Sequence, residues 1–190
     1  MAVTRTRLIR IVAAIAMVAV AAVGLRLSED TQEFEVVAGT LGVPVEIEDG
    51  VITATQVRVG VATARLDEVR DRSDGMFVLV SVQTTATGPE TLTLANASLL
   101  SGNRSYGSFG VGGSASAAPG FTGYTDLLFE VDPAQIDDLT LEIGRRELLS
   151  GYSQRARLHL GITPENADQW RAAARDQILE PAQDRREAAE

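Results

Sequence analysis

Apolar and polar positions alternate with a period of two over much of the chain beyond residue 50. Val51, Thr53, Thr55, Val57, Val59 and Val61 fall on one side, continued by Thr63, while threonine, charged or small residues fall on the other. Successive side chains of an extended strand point to opposite faces, so this stretch predicts a half-buried strand. Met76 to Thr85 has a different pattern, because Phe77, Val78, Leu79, Val80 and Val82 run nearly without interruption. A continuous apolar run of that length predicts a central strand covered on both faces. Alternation returns at Leu92 and Leu94, from Phe121 to Val131, around Leu139, Leu141 and Ile143, and around Ala156, Leu158 and Leu160.

The stretches between these runs carry turn chemistry. Arg65 to Asp74, closed by Gly75, reads as a charged connection or one short helical turn, and Thr87-Gly88-Pro89-Glu90 reverses the chain. Gly107 to Gly120 is a long segment of small residues that divides the strands into two groups. Seven or eight short strands separated by turns predict an all-β fold, an antiparallel β-sandwich, over residues 34–162. Thr163-Pro164-Glu165 then resembles a helix cap with proline in the first turn. Ala167, Trp170, Ala174 and Ile178 follow at helical spacing, predicting a short amphipathic C-terminal helix over 163–180 that Pro181 stops. Residues 181–190 read as a charged tail.

The N-terminal pattern is neither alternating nor amphipathic. Ile11 to Leu25 is entirely apolar or glycine, and Leu8 and Ile9 extend the run past Arg10. Such a run is long enough for one transmembrane helix across a ~30 Å hydrocarbon layer. Arg5, Arg7 and Arg10 precede it, which predicts a cytoplasmic N-terminus and an extracytoplasmic domain. The expectation is a membrane anchor over 1–27, contacting the bilayer through residues 8–27, and a polar stalk over 28–33. The alternative is a signal peptide cleaved near Ala19, Ala21 and Ala22, giving a secreted protein. Both place the domain outside the membrane.

Charge and composition narrow the functions open to it. The net charge is −9, and four of the 17 arginines lie before residue 28, so the remainder carries 13 basic against 26 acidic side chains. That balance argues against nucleic acid as a partner. Every basic residue except His159 is arginine, which removes chemistry that needs lysine, including a Walker-type phosphate loop. No cysteine is present, so disulfides, thiol nucleophiles and lipobox anchoring are excluded. Aromatics make up only 5% of the chain, which points to an aliphatic core.

Catalytic constellations are not found. His159 falls on the Arg155 and Arg157 side of its strand, where a solvated histidine is expected, and no Gly-x-Ser-x-Gly elbow accompanies it. One histidine and no cysteine leave little for zinc or copper. Glu46, Glu48 and Asp49, or Asp132, Asp137 and Asp138, could supply oxygens to calcium, but solvated turn carboxylates are the simpler reading. No cofactor is expected. Tyr106, Phe109, Phe121 and Tyr124 border the glycine-rich segment and, with Trp170 on the C-terminal helix, are the candidate partner-binding residues. The alternative is that the loop is a disordered connection and that Trp170 packs on its own domain.

From about Gly50 to Ile143 the order of elements resembles a known family, the immunoglobulin-like sandwich of a secreted mycobacterial antigen and related bacterial surface proteins. The resemblance rests on Val-Ile-Thr-Ala-Thr-Gln-Val-Arg-Val, on Met-Phe-Val-Leu-Val-Ser-Val-Gln-Thr, on the Leu99 to Tyr106 turn with Gly102, and on Ala118-Pro119-Gly120 leading to Leu-Leu-Phe-Glu-Val. Asp132 intervenes before Pro133 where the family ends that strand in Phe-x-Val-Pro. The resemblance implies a fold and a compartment and brings no catalytic residue. The expectation is therefore a non-enzymatic, membrane-anchored extracytoplasmic interaction domain that binds or stabilises an envelope protein. Its rivals are a small-ligand or calcium-binding surface protein and, last, a cell-wall hydrolase.

Overall fold

A computed structural model describes residues 35–66, 68–109, 114–145 and 154–189. The expected anchor and stalk lie outside the described residues. Within them, no helix is long and apolar enough to cross a membrane.

The architecture is a two-sheet β-sandwich. The first sheet runs in the order β1 (Glu35–Thr40), β10 (Gln154–His159), β9 (Thr140–Arg145), β5 (Leu92–Ser101) and β6 (Arg104–Gly107), with β7 (Ala115–Ala117) on the same edge of β5 as β6. The second is ordered β11 (Ile178–Leu179), β3 (Gly50–Arg65), β4 (Glu68–Ala86), β8 (Phe121–Val131) and β12 (Arg185–Ala188), with β2 (Val45–Ile47) beside β3. Inward side chains such as Ile52, Val80, Leu94, Leu127, Phe129, Leu141 and Leu158 form one aliphatic core between the sheets. Met76 to Val80 is buried at every position, as its unbroken apolar run predicts.

Four expectations need correction. The sandwich is not purely antiparallel, because β1 joins β10 and β11 joins β3 in parallel. Both added pairs bring together segments far apart in sequence, so no hairpin dictates their direction. Arg65 to Asp74 is mostly strand: β4 begins at Glu68 and zips back along β3 through Arg65↔Glu68, Ala64↔Val69 and Thr63↔Asp71. Its side chains are largely exposed, and a strand wet on both faces shows no apolar alternation to read. The helix, α1, covers Ala167–Ala174 rather than 163–180, and Ile178 and Leu179 are strand. The charged tail contains β12, paired with β8 through Arg185↔Tyr124 and Glu187↔Thr122.

Beyond the sandwich core, a second small cluster forms on the outer face of the second sheet. Phe77 and Leu79 point there and are covered by Phe109, Leu128 and Leu179. Gly60 makes room for the covering segment, since a Cβ at that position would meet the Gln177 carbonyl oxygen at 2.7 Å and Leu179 at 2.9 Å. The chain thus reaches the edge of β3 at β11, crosses the outer face over residues 180–184, and ends on the opposite edge as β12.

Candidate functional site

The outer face of the second sheet can be read as rows of side chains across β3, β4 and β8, because paired residues stand side by side on one face. Val51, Thr85 and Thr122 form one row, facing Glu187 of β12, and Thr53, Gln83 and Tyr124 form the next, facing Arg185. Gln56, Ser81 and Asp126 follow, then Arg58, Leu79 and Leu128, and finally Gly60, Phe77 and Glu130. The face therefore grades from neutral polar to apolar along its strands.

The apolar end is roofed. Phe109 donates its backbone N–H to the Leu128 carbonyl at 2.6 Å, and its ring meets Phe77 edge-on with centroids 5.2 Å apart. The far end of the β3–β4 hairpin, residues 62–66 and 68–72, bends as an arm over this region. Register shifts at Gly60/Ala62 and Thr63/Ala64 supply the bend. A cleft of about 380 Å³ remains, lined by Ala64, Arg65, Arg70, Phe109, Leu128 and Pro181 among others. At the turn of the arm Leu66 has φ 54° and is 75% exposed, with Val69 at 44% and Ile178 at 50% on the adjoining strands.

In the middle, Asp126 ties the crossing segment down. Its carboxylate, only 6% exposed, accepts from Arg58 at 3.0 Å, from the Ser81 hydroxyl at 2.6 Å and from the Ala182 N–H at 2.8 Å. Glu180 accepts from the Leu66 N–H at 3.2 Å, so the same segment holds the arm. Arg185 then stacks over Tyr124, 4.2 Å from the ring centre.

The polar end is open. Clefts of about 430 and 420 Å³ lie on it and share Gln83 and Thr85; Gly42, Pro44 and Thr53 help to line one, and Thr122, Tyr124 and Glu187 the other. Thr85 and Thr122 join their hydroxyls at 3.0 Å.

The five aromatic candidates are not gathered on one surface. Phe109 and Tyr124 share the outer face at opposite ends. Phe121, 45% exposed, begins β8 on the other side of the strand from Tyr124. Tyr106 lies on β6 in the first sheet, and both it and Trp170 of α1 pack against the main core. Arg171, beside Trp170, clamps the helix down through the Pro133 carbonyl at 2.6 Å and Asp137 at 3.2 Å. Gln83, Thr53 and Thr85 carry no sequence signal beyond alternation, which identifies an exposed face without saying what it is for.

The first sheet's outer face is built from ions. Glu142 accepts from Arg155 and Arg157, each at 2.6 Å. Burial alone pushes the Glu142 pKa up, but the hydrogen bonds and charges of Arg157 and Arg155 outweigh it and hold it below the ordinary range. His159 Nε2 meets Asp138 at 2.8 Å and Nδ1 accepts from the Gly161 N–H at 3.1 Å, so both ring nitrogens are engaged. Four of the six acidic groups considered for calcium are likewise answered by cations. Asp49 and Glu48 face Arg145, Asp132 faces Arg104, and Asp137 faces Arg171. Among the described residues no three or more histidine, aspartate or glutamate side chains form a group that could hold a metal.

No family model matches the chain, and no curated protein matches it. Two solved structures are similar. One, a protein of Bacillus subtilis named as a lipoprotein, is 12% identical over 61% of this chain and 38% of its own, with a TM-score of 0.43. The other, an uncharacterised β-sandwich protein of Clostridium difficile, is 13% identical over 66% of this chain and 95% of its own, with a TM-score of 0.39. The chain thus spans less than half of the first.

Proposed function

We propose that this chain is a non-enzymatic interaction domain with an immunoglobulin-like sandwich, carried outside the membrane on its N-terminal apolar segment, and that it docks an envelope protein through the β3–β4 arm. The observation that carries the reading is the arm's tip. A leucine in the left-handed region is uncommon, and one left largely in water forgoes the roughly 1.5–3 kcal/mol that burying its side chain would bring. Leu66 does both, and Val69 and Ile178 on the adjoining strands are exposed as well. Arg65, Glu68, Arg70 and Asp71 flank Leu66 and Val69 along the chain with charge of both signs, a makeup that suits an apolar contact inside a polar rim on another protein. The 11–25 run and its preceding arginines support the anchor.

The test is a photo-crosslinking residue placed at Leu66 in intact cells, with Val43, an exposed residue before β2, as the control position. A discrete adduct from Leu66 that Val43 does not give is expected. No adduct at Leu66 or Val69, or the same adducts from all positions, would remove the arm as a docking element. Extraction of membranes with alkaline carbonate checks the anchor separately: the chain should stay with the bilayer.

A further inference from the structure

The free edge of the first sheet, at β1, is a separate surface from the arm. Natural sheets keep edge strands from pairing with other chains by making them short, charged or interrupted. The other edges each use one of these devices: β11 is two residues long, β12 carries Arg185, Arg186 and Glu187, and the far edge of β5 is divided between β6 and β7. β1 spans six residues with Glu35 as its sole charge, and among the described residues no strand pairs with its outer edge. We propose that a second copy of the chain adds its own β1 here, antiparallel, so that the first sheets of two copies run into one.

The backbone is directed for this pairing. Leu41 donates its N–H to the His159 carbonyl at 2.9 Å, and backbone groups alternate sides residue by residue along a strand. Val37 and Gly39 therefore spend theirs on β10, while Val36 and Ala38 aim theirs at the open edge. The Thr40 N–H points the same way, its carbonyl being held by the Val43 N–H at 3.1 Å. A two-fold axis at Ala38 sets this residue against the second copy's Ala38 and Val36 against the second copy's Thr40, an exchange that each copy makes identically. The side chains suit the same register. Val36, Ala38 and Thr40 are all exposed, Val36 at 42%. A small uncharged residue meets itself on the axis, a β-branched pair stands on either side of it, and the two Glu35 carboxylates fall at opposite ends, about 20 Å apart. A foreign strand is selected by side-chain pockets or charges along the edge, and Ala38 and Gly39 offer neither.

The chain has no cysteine of its own, so single introduced thiols report the pairing. Residues directly opposed in a hydrogen-bonded antiparallel pair have Cα atoms ~5.5 Å apart, within the span of a disulfide, whereas Val36 and the second copy's Val36 stand about 14 Å apart. The purified full chain in detergent is oxidised with diamide and separated without reductant. Ala38→Cys should run as a dimer, Val36→Cys and Thr40→Cys should each stay monomeric, and mixing those two should restore the dimer. Ala38→Arg, which opposes two cations on the axis, should abolish the dimer of the mixed pair while circular dichroism shows the strands intact. A monomeric Ala38→Cys chain, equal dimer from all three single variants, or a mixed pair indifferent to Ala38→Arg overturns the proposal. So does oxidation of Ala38→Cys in intact cells that joins it to a different protein in place of itself. Crosslinking at Leu66 is unaffected by any of these results.

Discussion

The two sheets solve the problem of their outer faces in opposite ways. The first sheet sets charge against charge across its strands, Glu142 between Arg155 and Arg157 and His159 beside Asp138, and lies open to water. The second sheet turns Phe77 and Leu79 outward, and these are covered by Phe109 and Leu179. A face solvated by its own ions needs no lid. A face that recruits a partial lid acquires a cleft where the lid stops, and the cleft beneath the arm, lined by Phe109, Leu128 and Pro181, lies at such a border.

The sharpest way to break this comparison is to remove the reason for the lid. Phe77→Ala should cost about 3–5 kcal/mol, as deletion of a fully buried aromatic does, whereas Thr140→Ala on the first sheet should stay within about 0.5 kcal/mol, as at an ordinary surface position. Urea unfolding measures both. Similar costs for the two variants would mean that the outer cluster is not part of the folded unit. Leu179→Ala tests the lid itself. A cost of about 2–3 kcal/mol is expected, at the low end for leucine because the cluster it packs in is small. Amide exchange over residues 178–188 should accelerate together, since Leu179, Ala182 and β12 hold one continuous segment. Faster exchange confined to Leu179 would show that the crossing segment is held independently of the cluster.

How far the sequence reveals this contrast depends on which face is dry. Val57, Val59, Leu141 and Leu158 all stand between polar or small neighbours, so the sandwich and most of its strands are legible. The continuous run at Met76–Val80 even signals that the second face of β4 is covered. What covers it is not legible. The arm alternates Arg, Asp and Glu on both sides, and β12 reads Arg-Arg-Glu-Ala, so neither offers a hydrophobic period. The arm's strand structure comes from hairpin pairing, Thr63 with Asp71, and that of β12 from a partner distant in sequence, Arg185 with Tyr124 at the edge. Helical spacing from Ala167 to Ile178 misleads for the same reason: Ile178 matches the stripe, but Leu179 beside it satisfies the outer cluster and draws the chain into a strand. Of the candidate aromatics, Phe109 and Tyr124 meet the outer face; Gln83 is invisible until the rows are known.

The smallest expected effect comes from the first sheet, and pH makes it separable. Glu142 is buried among half-exposed arginines, so Glu142→Gln should cost about 1–2 kcal/mol near neutrality, a charge-assisted hydrogen bond weakened by the solvent reaching its partners. Its carboxyl titrates below the ordinary value of 4.5 in the folded protein. A depressed folded pKa means that the unfolded chain takes up the proton first as the solution is acidified. The Glu142 contribution is therefore complete above pH 4.5 and is lost as pH falls through the folded value. All other carboxylates are common to wild type and variant, so the difference between their urea midpoints isolates this one group. That difference should be constant from pH 7 to about 5.5 and shrink below 4.5. If it held its size into acid, the arginines would be supporting the sheet by packing along their stems, and the first sheet's face would owe its stability to the same apolar contact as the second.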